Sequence, residues 1–570
     1  MRHDICFRTQ LKGAKKSFPM NPAQSFPTES PTPLDCQPSS RAKSFASWLP
    51  LAAIITLAVA ARAWLHFTTP YVPGVNGAYY LVQSRALLEH GVLGIPDMPL
   101  TFHLHAALAS LLAWMGGLAQ ADAIMWAVKL CDSVLPPLAA WPVFVLVQRW
   151  ASQRGQGNAV PLTAAVLACL SSPLIGMLGD FQKNSLALVW LATLATTLRG
   201  WLDAPTRLRG VGVLVSLLLL GLTHIGVLGA AVLLVSAVML IFLALRGGSV
   251  NWRHLLPWME AGVGLLGLAA VVVLWRFDPA RIHRLITALT NPAKFSTDGM
   301  QMPMMPGGGM GVLRWLPSAA FAMAVLPSLL IAWRRRNSLP AADAALVAGG
   351  ALTVLALTGP WFSMDKSMRF NLIAMLPAII VVAFALLHIT TAWRRSTVLG
   401  LALCLGLSGT ISLLPRGGHA ILSDAAMHEL QSLPQYISQP AQTLVCAQHG
   451  AEWWSAWFLH TRISQPTALR PADWQRYSEV FFLEVKSGMQ MPMFAGGGHP
   501  PGLGPPGFGP PGSGKPGGMP PLPGMGPHPM MSAKIPPDAQ VLHDGECLKL
   551  ARILTPLQDI LSRIPRSIAP

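Results

Sequence analysis

The sequence predicts an all-α polytopic membrane protein of about 11 transmembrane helices carrying a small C-terminal extracytoplasmic α/β domain. Three observations carry that expectation. First, 52% of the 570 residues are hydrophobic and only 11% are charged, with mean hydropathy +0.46, against about 25% charged in a soluble domain. This excludes a soluble globular enzyme and a mainly disordered chain. Second, apolar segments near membrane-spanning length recur from residue 46 to residue 414. Third, Lys and Arg collect in alternate loops, while the remaining polar chemistry collects in the others. The formal net charge of +17 comes from 41 Lys+Arg against 24 Asp+Glu. In this setting it reads as cytoplasmic loops loaded with cations, and no nucleic-acid partner is implied.

Residues 1–44 are polar, Ser/Pro-rich and basic (Arg2, Arg8, Lys12, Lys15, Lys16, Arg41, Lys43), the composition of a disordered cytoplasmic tail. Segment 46–66 reads as an uncleaved signal anchor, although Ala58-Val59-Ala60 resembles a cleavage site. Further apolar segments follow at 101–117, 123–148, 159–178, 184–198, 210–222, 226–245, 255–275, 312–333, 341–360, 370–391 and 397–414. The basic loops hold Arg149/Arg154, Arg199/Arg207/Arg209, Arg246/Arg253, Arg334–Arg336 and Arg394/Arg395. All fall on the cytoplasmic side with the N-terminus inside only if one early segment does not cross. That segment is 101–117, which carries His103 and His105 and ends in Met115-Gly116-Gly117. The C-terminus is then outside, in an inner or plasma membrane. Within the crossings, Lys129 and Asp132 are spaced to neutralise each other.

Residues 45–414 thus form the membrane domain and 415–570 the second domain. In the latter, 424–434 and 452–459 read as helices, and 443–447 and 480–485 as strands. Gly/Pro/Met-rich low complexity interrupts it at 488–531, and 539–542 with 548–563 complete the unit. Of seven cysteines, Cys131, Cys169 and Cys404 lie in apolar runs and read as core, and only Cys446 and Cys547 share an extracytoplasmic segment, where one disulfide can form.

Four outer-face motifs follow one another. The first runs from Tyr71-Val-Pro-Gly-Val-Asn76-Gly-Ala-Tyr79-Tyr80 through Arg85 and Leu87-Leu88-Glu89-His90-Gly91 to Pro96-Asp97-Met98-Pro99. The others are Gly179-Asp180-Phe181-Gln182-Lys183-Asn184, Leu222-Thr223-His224 and Asp365-Lys366-Ser367-Met368-Arg369-Phe370. Their order and common side resemble the GT-C superfamily of integral-membrane glycosyltransferases, which includes oligosaccharyltransferase catalytic subunits and protein mannosyltransferases. The resemblance spans roughly residues 46–415. It implies a polyprenyl-phosphate-linked sugar donor in the bilayer and a glycan, lipid or protein acceptor arriving from outside. It also implies a carboxylate that takes the acceptor's proton and cations that stabilise the leaving phosphate.

On that reading Asp97 and Asp180 are the catalytic candidates. Arg369, His224, Lys183, Tyr79, Tyr80 and Asn76 are donor or phosphate ligands. The sequence departs from the family at Asn76, where many members have Asp; an amide is neither a base nor a strong ligand for a divalent cation. Asp97 sits in the same loop and reads as the base or as a turn residue ahead of Pro99. Asp180 reads as a carboxylate facing the site or as a helix cap. His224 reads as a phosphate or metal ligand or as a locally satisfied helix-junction His, Arg369 as a phosphate ligand or a helix-end anchor, and Glu89 as a solvated helix face. In Val445-Cys446-Ala447-Gln448-His449-Gly450-Ala451-Glu452-Trp453-Trp454 a strand turns into a helix. His449 and Glu452 there are acceptor-binding candidates, or parts of a capped helix.

Gly299–Gly309 and Gly488–Gly498 match at nine of eleven positions and are Met-rich. Thioethers suit Cu(I); the alternative is plain loop sequence contacting lipid. No metal site is assigned, and a divalent cation stays open as cofactor. Transfer of a sugar from a polyprenyl-linked donor is therefore one function expected, and a non-catalytic GT-C-like protein binding lipid, or Cu(I) through its Met-rich loops, is the other. The topology is checked by reporter fusions: those after Gly155 and Arg335 should report cytoplasm and those after Pro306 and Gly418 the outside. A cytoplasmic signal at Gly418 contradicts the eleven-crossing arrangement.

Overall fold

The computed structural model describes residues 48–246, 310–359, 364–466, 471–490 and 535–553, with isolated positions between them. The predicted crossing at 255–275, the first Met-rich copy, most of the second, and 554–563 lie outside the described residues.

Helices dominate: α1 (Trp48–Phe67), α2 (Gly77–His90), α3 (Leu100–Gly116), α4 (Gln120–Val134), α5 (Ala140–Ser152), α6 (Ala159–Leu170), α7 (Gln182–Asp203), α8 (Arg207–Thr223), α9 (Ile225–Arg246), α10 (Met310–Arg334), α11 (Ala341–Thr358), α12 (Met364–Leu386) and α13 (Ala392–Leu413). Among the described residues seven helical spans are long and apolar enough to cross a membrane, one of them the composite Gln120–Ser152. That composite is the predicted crossing at 123–148. Pro136 and Pro137 lack the N–H that an α-helix needs and tighten its middle into a 3-10 turn. Helix α12 starts ahead of the expected 370, so Arg369 lies inside its N-terminal turns and not in a loop.

Two carboxylates buried in the bundle, Asp343 and Asp132, take partners from other helices. Arg199 Nε and Trp150 Nε1 both donate to Asp343 Oδ1, at 2.7 and 2.9 Å. Asp132 does not pair with Lys129. Lys129 Nζ donates to the carbonyls of Thr69 and Pro70, and Asp132 takes Arg62 and His66 from α1. Helical spacing sets which residues share a face, but the partner came from a different helix.

The C-terminal unit adds helices α14 (Asp424–Ser432), α15 (Ala451–Leu459) and α16 (Pro471–Arg476) to a mixed sheet. The strands are β1 (Thr443–Ala447), β2 (Arg462–Ser464), β3 (Glu479–Val485), β4 (Gln540–Asp544) and β5 (Leu548–Arg552), in the order β2-β1-β3-β5-β4. The β2-β1-β3 pairs are parallel and the β3-β5-β4 pairs antiparallel. Strand β1 is buried at every position, as expected of a parallel strand covered on both faces. Strand β2 and helix α16 were not expected, being too short to show periodicity. Val445, Phe481 and Leu550 join one hydrophobic core with Tyr71, Tyr80 and Phe102 of the first loop, so the sheet packs on the segment that precedes and follows α2.

The expected Cys446–Cys547 disulfide does not form; both thiols are free and buried. Strand β3 separates β1 from β5. That puts the two chains about 9–10 Å apart, beyond the Cα separation of about 4.4–6.8 Å that a disulfide spans. Burial also pushes the Cys446 thiol up to about 12. Alkylation of denatured, unreduced protein should label both cysteines, and a mass showing them oxidised to each other would contradict this arrangement.

Candidate active site

The site begins with two glycines. After α6 the chain makes one helical turn at Ser172–Ile175 and reaches Gly179 at φ +76°. A Cβ on Gly179 would lie 2.1 Å from the Pro73 carbonyl oxygen. Gly74, at φ +90°, faces it, and a Cβ there would lie 2.7 Å from Asp180 Oδ1. Both positions need the left-handed region and close backbone approach, which glycine alone allows without strain. Their contact brings the loop ahead of the tyrosine pair onto the acidic turn. Asp180 Oδ1 then accepts the Asn76 backbone N–H at 2.7 Å. Burial raises the Asp180 carboxyl above the usual carboxylate range, although N–H groups of Asn76 and Val75 pull the other way.

Asp132 holds this turn from beneath. Its Oδ2 accepts the Gly179 N–H at 2.9 Å and His66 Nε2 at 2.8 Å, while its Oδ1 accepts Arg62 at 2.6 Å. Arg62 also donates to the carbonyls of Asp132 and Leu174. All three side chains are buried. The sequence reading missed this cluster. Its visible signal was an Arg, a His and an Asp inside otherwise apolar segments.

Asp97 is held differently. It is 3% exposed, and its Oδ2 accepts from both Tyr79 Oη and Lys183 Nζ. Its Oδ1 takes the Met98 N–H at 2.7 Å. Lys183 also lies over the rings of Tyr79 and Phe102, at 5.3 and 5.6 Å. The predicted base and a predicted phosphate ligand are thus bonded to each other. Burial, and then Asp97, hold the Tyr79 phenol well above its ordinary value, so it stays a donor. Gln83 fixes the returning chain, exchanging hydrogen bonds of 2.7 and 2.9 Å with the Ile95 backbone. Tyr80 Oη donates to the Asp180 carbonyl at 3.4 Å.

The C-terminal unit supplies the third side. Gly450, at φ +98°, packs its turn against Val75 and Ile421. This presents His449, whose side chain is 58% exposed and whose Nδ1 lies 2.7 Å from Glu452 Oε1. Its imidazole is raised above the ordinary value, first by the Glu452 hydrogen bond and also by Asp180, while Arg369 opposes the rise. Asp180 and Arg369 therefore each act electrostatically on His449. The Arg369 guanidinium lies 6.0 Å from the Phe181 ring, beside Asp180. Arg85 ties α15 in place through the carbonyls of Ala456 and Trp457, both at 2.7 Å. His224 sits at the break between α8 and α9, where its Nδ1 accepts the Val227 N–H at 3.2 Å.

Among the described residues no three His, Cys, Asp or Glu side chains gather as a metal ion would need. Divalent cations such as Mg²⁺ and Ca²⁺ want several oxygens. Among the described residues the carboxylates at the turn are Asp180 and Asp132; Asp132 is committed to Arg62, His66 and the Gly179 N–H, Asn76 meets Asp180 through its backbone, and Glu452 is committed to His449. This donor set does not fit a divalent cation.

No family model matches the chain, and no curated protein matches it in sequence. Among solved structures it is similar in fold to ArnT from Cupriavidus metallidurans in the apo state. The likeness has TM-score 0.44 and 13% identity, and covers 78% of this chain and 93% of that one. The same protein bound to undecaprenyl phosphate gives TM-score 0.44 and 12% identity over 78% and 94%.

Two substitutions test the geometry. Gly179→Ala should destabilise the protein by more than about 1 kcal/mol, because strain and the Pro73 clash add. Asp132→Asn should cost roughly 3–5 kcal/mol by leaving Arg62 buried without its counter-charge. Thermal unfolding in detergent measures both, and an unchanged midpoint for either would show that the turn is not so constrained.

Proposed function

We propose that this protein is a membrane glycosyltransferase that moves a sugar from a polyprenyl-phosphate-linked donor to an acceptor at the extracytoplasmic face. The observation that carries the reading is that His449 takes the electrostatic influence of both Asp180 and Arg369, with the Arg369 guanidinium 6.0 Å from the ring of Phe181, the residue after Asp180. A carboxylate with a raised pKa near a protonated imidazole, with a guanidinium in reach of that imidazole, suits a reaction that moves one proton while a phosphate departs.

In this reading the acceptor nucleophile attacks the anomeric carbon of the donor sugar and the bond from that carbon to the phosphate oxygen breaks. The bonding pair leaves with the phosphate, and Arg369 and protonated His449 stabilise its charge. Asp180 takes the acceptor proton. Glu452 keeps His449 charged and aimed. Asp97, Lys183 and Tyr79 form the rigid wall on which the sugar rests. Asp180 therefore replaces Asp97 as the favoured base, since both oxygens of Asp97 are already engaged. A metal ion has no step here.

Asn76 favours a second reading, a non-catalytic relative that binds lipid phosphate, because an amide stands where the resembled family has an acid. The two readings separate by experiment. Asp180→Asn should lower transfer from a polyprenyl-linked sugar by about 10²-fold or more, while Arg369→Ala should chiefly weaken donor binding. The pH profile should be bell-shaped. Activity rises with pH as Asp180 deprotonates, at a pH above that of an ordinary carboxylate, and falls as His449 loses its proton, at a pH above that of a free imidazole. His449→Gln should remove the alkaline limb. Wild-type protein inactive with every polyprenyl donor, with activity gained in Asn76→Asp, would establish the second reading.

A further inference from the structure

Three polar side chains close to the Asp132 cluster take no part in the site described above. Thr101 and His105 stand one helical turn apart on α3 and so share a face. Gln182 is the first residue of α7. Helix α3 packs on α4, and both touch α7. Thr101, His105 and Gln182 are all buried, none more than 3% exposed. Thr101 Oγ1, His105 Nδ1 and both polar atoms of the Gln182 amide, Oε1 and Nε2, are shut off from solvent. Among the described residues none of the four bonds to another group of the protein. The three side chains border one cavity of about 10 Å³, together with Cys131 and Asp132 of α4.

Buried polar atoms left unmatched are costly, so the contents of the cavity are constrained by what its walls present. Its volume is at the lower end of what one water molecule needs, about 10–15 Å³, and a buried water typically makes about three hydrogen bonds to groups that have no other partner. The chemistry points the same way. Gln182 brings both a donor and an acceptor to this space. A cation would leave Nε2 without an acceptor, and an anion would lie against Asp132. Water both donates and accepts, and so matches an amide, a hydroxyl and an imidazole together.

We infer that this cavity binds one ordered water molecule, hydrogen-bonded to Thr101, His105 and Gln182, which ties the start of α3 to the start of α7. Asp97 lies just ahead of α3 and Asp180 just ahead of α7. Lys183, the residue after Gln182, already joins the two segments through Asp97. A single ion pair lets two helix starts pivot about it. The water adds a second point of attachment, and two points hold the angle between them. The inference rests on the packing of α3, α4 and α7 and is independent of sugar transfer.

Two experiments on the purified full-length protein test this. In an experimental density map that resolves single waters, one peak should stand about 2.7–3.2 Å from Thr101 Oγ1, from His105 Nδ1 and from one polar atom of the Gln182 amide. The second experiment reads the sign of a stability change. Thr101→Val keeps the shape and removes the hydroxyl, and Gln182→Met keeps the length and removes the amide. With water bound, each change deletes a hydrogen bond and should lower the midpoint of thermal unfolding in detergent by roughly 1–3 °C. With the groups unmatched, each change relieves a buried polar atom and the midpoint should rise. Replacing Na⁺ by K⁺ in the buffer should leave the wild-type midpoint unaltered. A map with no peak, a peak closer than hydrogen-bond distance, a midpoint that rises or stays constant in either variant, or one that follows the alkali cation would each overturn the inference.

Discussion

The arrangement around Asp180 depends on one buried carboxylate. Asp132 gathers a guanidinium, an imidazole and a backbone N–H from two other parts of the chain. A charge so far from water is tolerated only when every lone pair is used. The attachment therefore has few alternatives: if the turn at Gly179 shifts, Asp132 loses a donor and Arg62 loses alignment with the Leu174 carbonyl. Electrostatics beneath the turn and glycine sterics above it define the same position. The position of Asp180 inherits that rigidity, because the residue follows Gly179 directly.

The same reasoning separates the two candidate carboxylates. Asp97 and Asp180 both lie near the tyrosine pair. Asp97 is neutralised by Lys183 and capped by Tyr79 and Met98, and such a group serves as a strut. Asp180 is opposed by backbone amides that carry no full charge, and burial raises its affinity for a proton. A proton acceptor has to change charge without dismantling its surroundings. Partial dipoles permit this more readily than a salt bridge does.

Much of the helical order was legible because hydropathy and loop charge are local properties of the chain. Strands β1 and β3 were legible for the same reason, as short β-branched and aromatic runs between turn residues. What sequence could not show was pairing at a distance. Asp132 has Lys129 one turn away, yet its partner Arg62 lies 70 residues earlier. Lys183 reads as a phosphate ligand from its motif, but its counter-ion lies 86 residues away. Gly74 and Gly179 read as ordinary turn glycines until their backbones are seen in contact. In apolar surroundings each polar group takes the partner that three-dimensional packing offers, and one-dimensional spacing does not reveal which that is.

The core that joins the first loop to the C-terminal sheet has a consequence for biogenesis. Gly418 donates to Thr68 across 350 residues, and Arg85 holds Trp457 across 372. Translation is directional, so α2 and its tyrosines emerge long before the strands that cover them. Contacts this remote form late and at high entropic cost. The nascent chain must therefore carry an exposed aromatic face through most of its synthesis, and the site is completed only when the last strands arrive. The first loop therefore reaches its final packing only after the strands that cover it have been made.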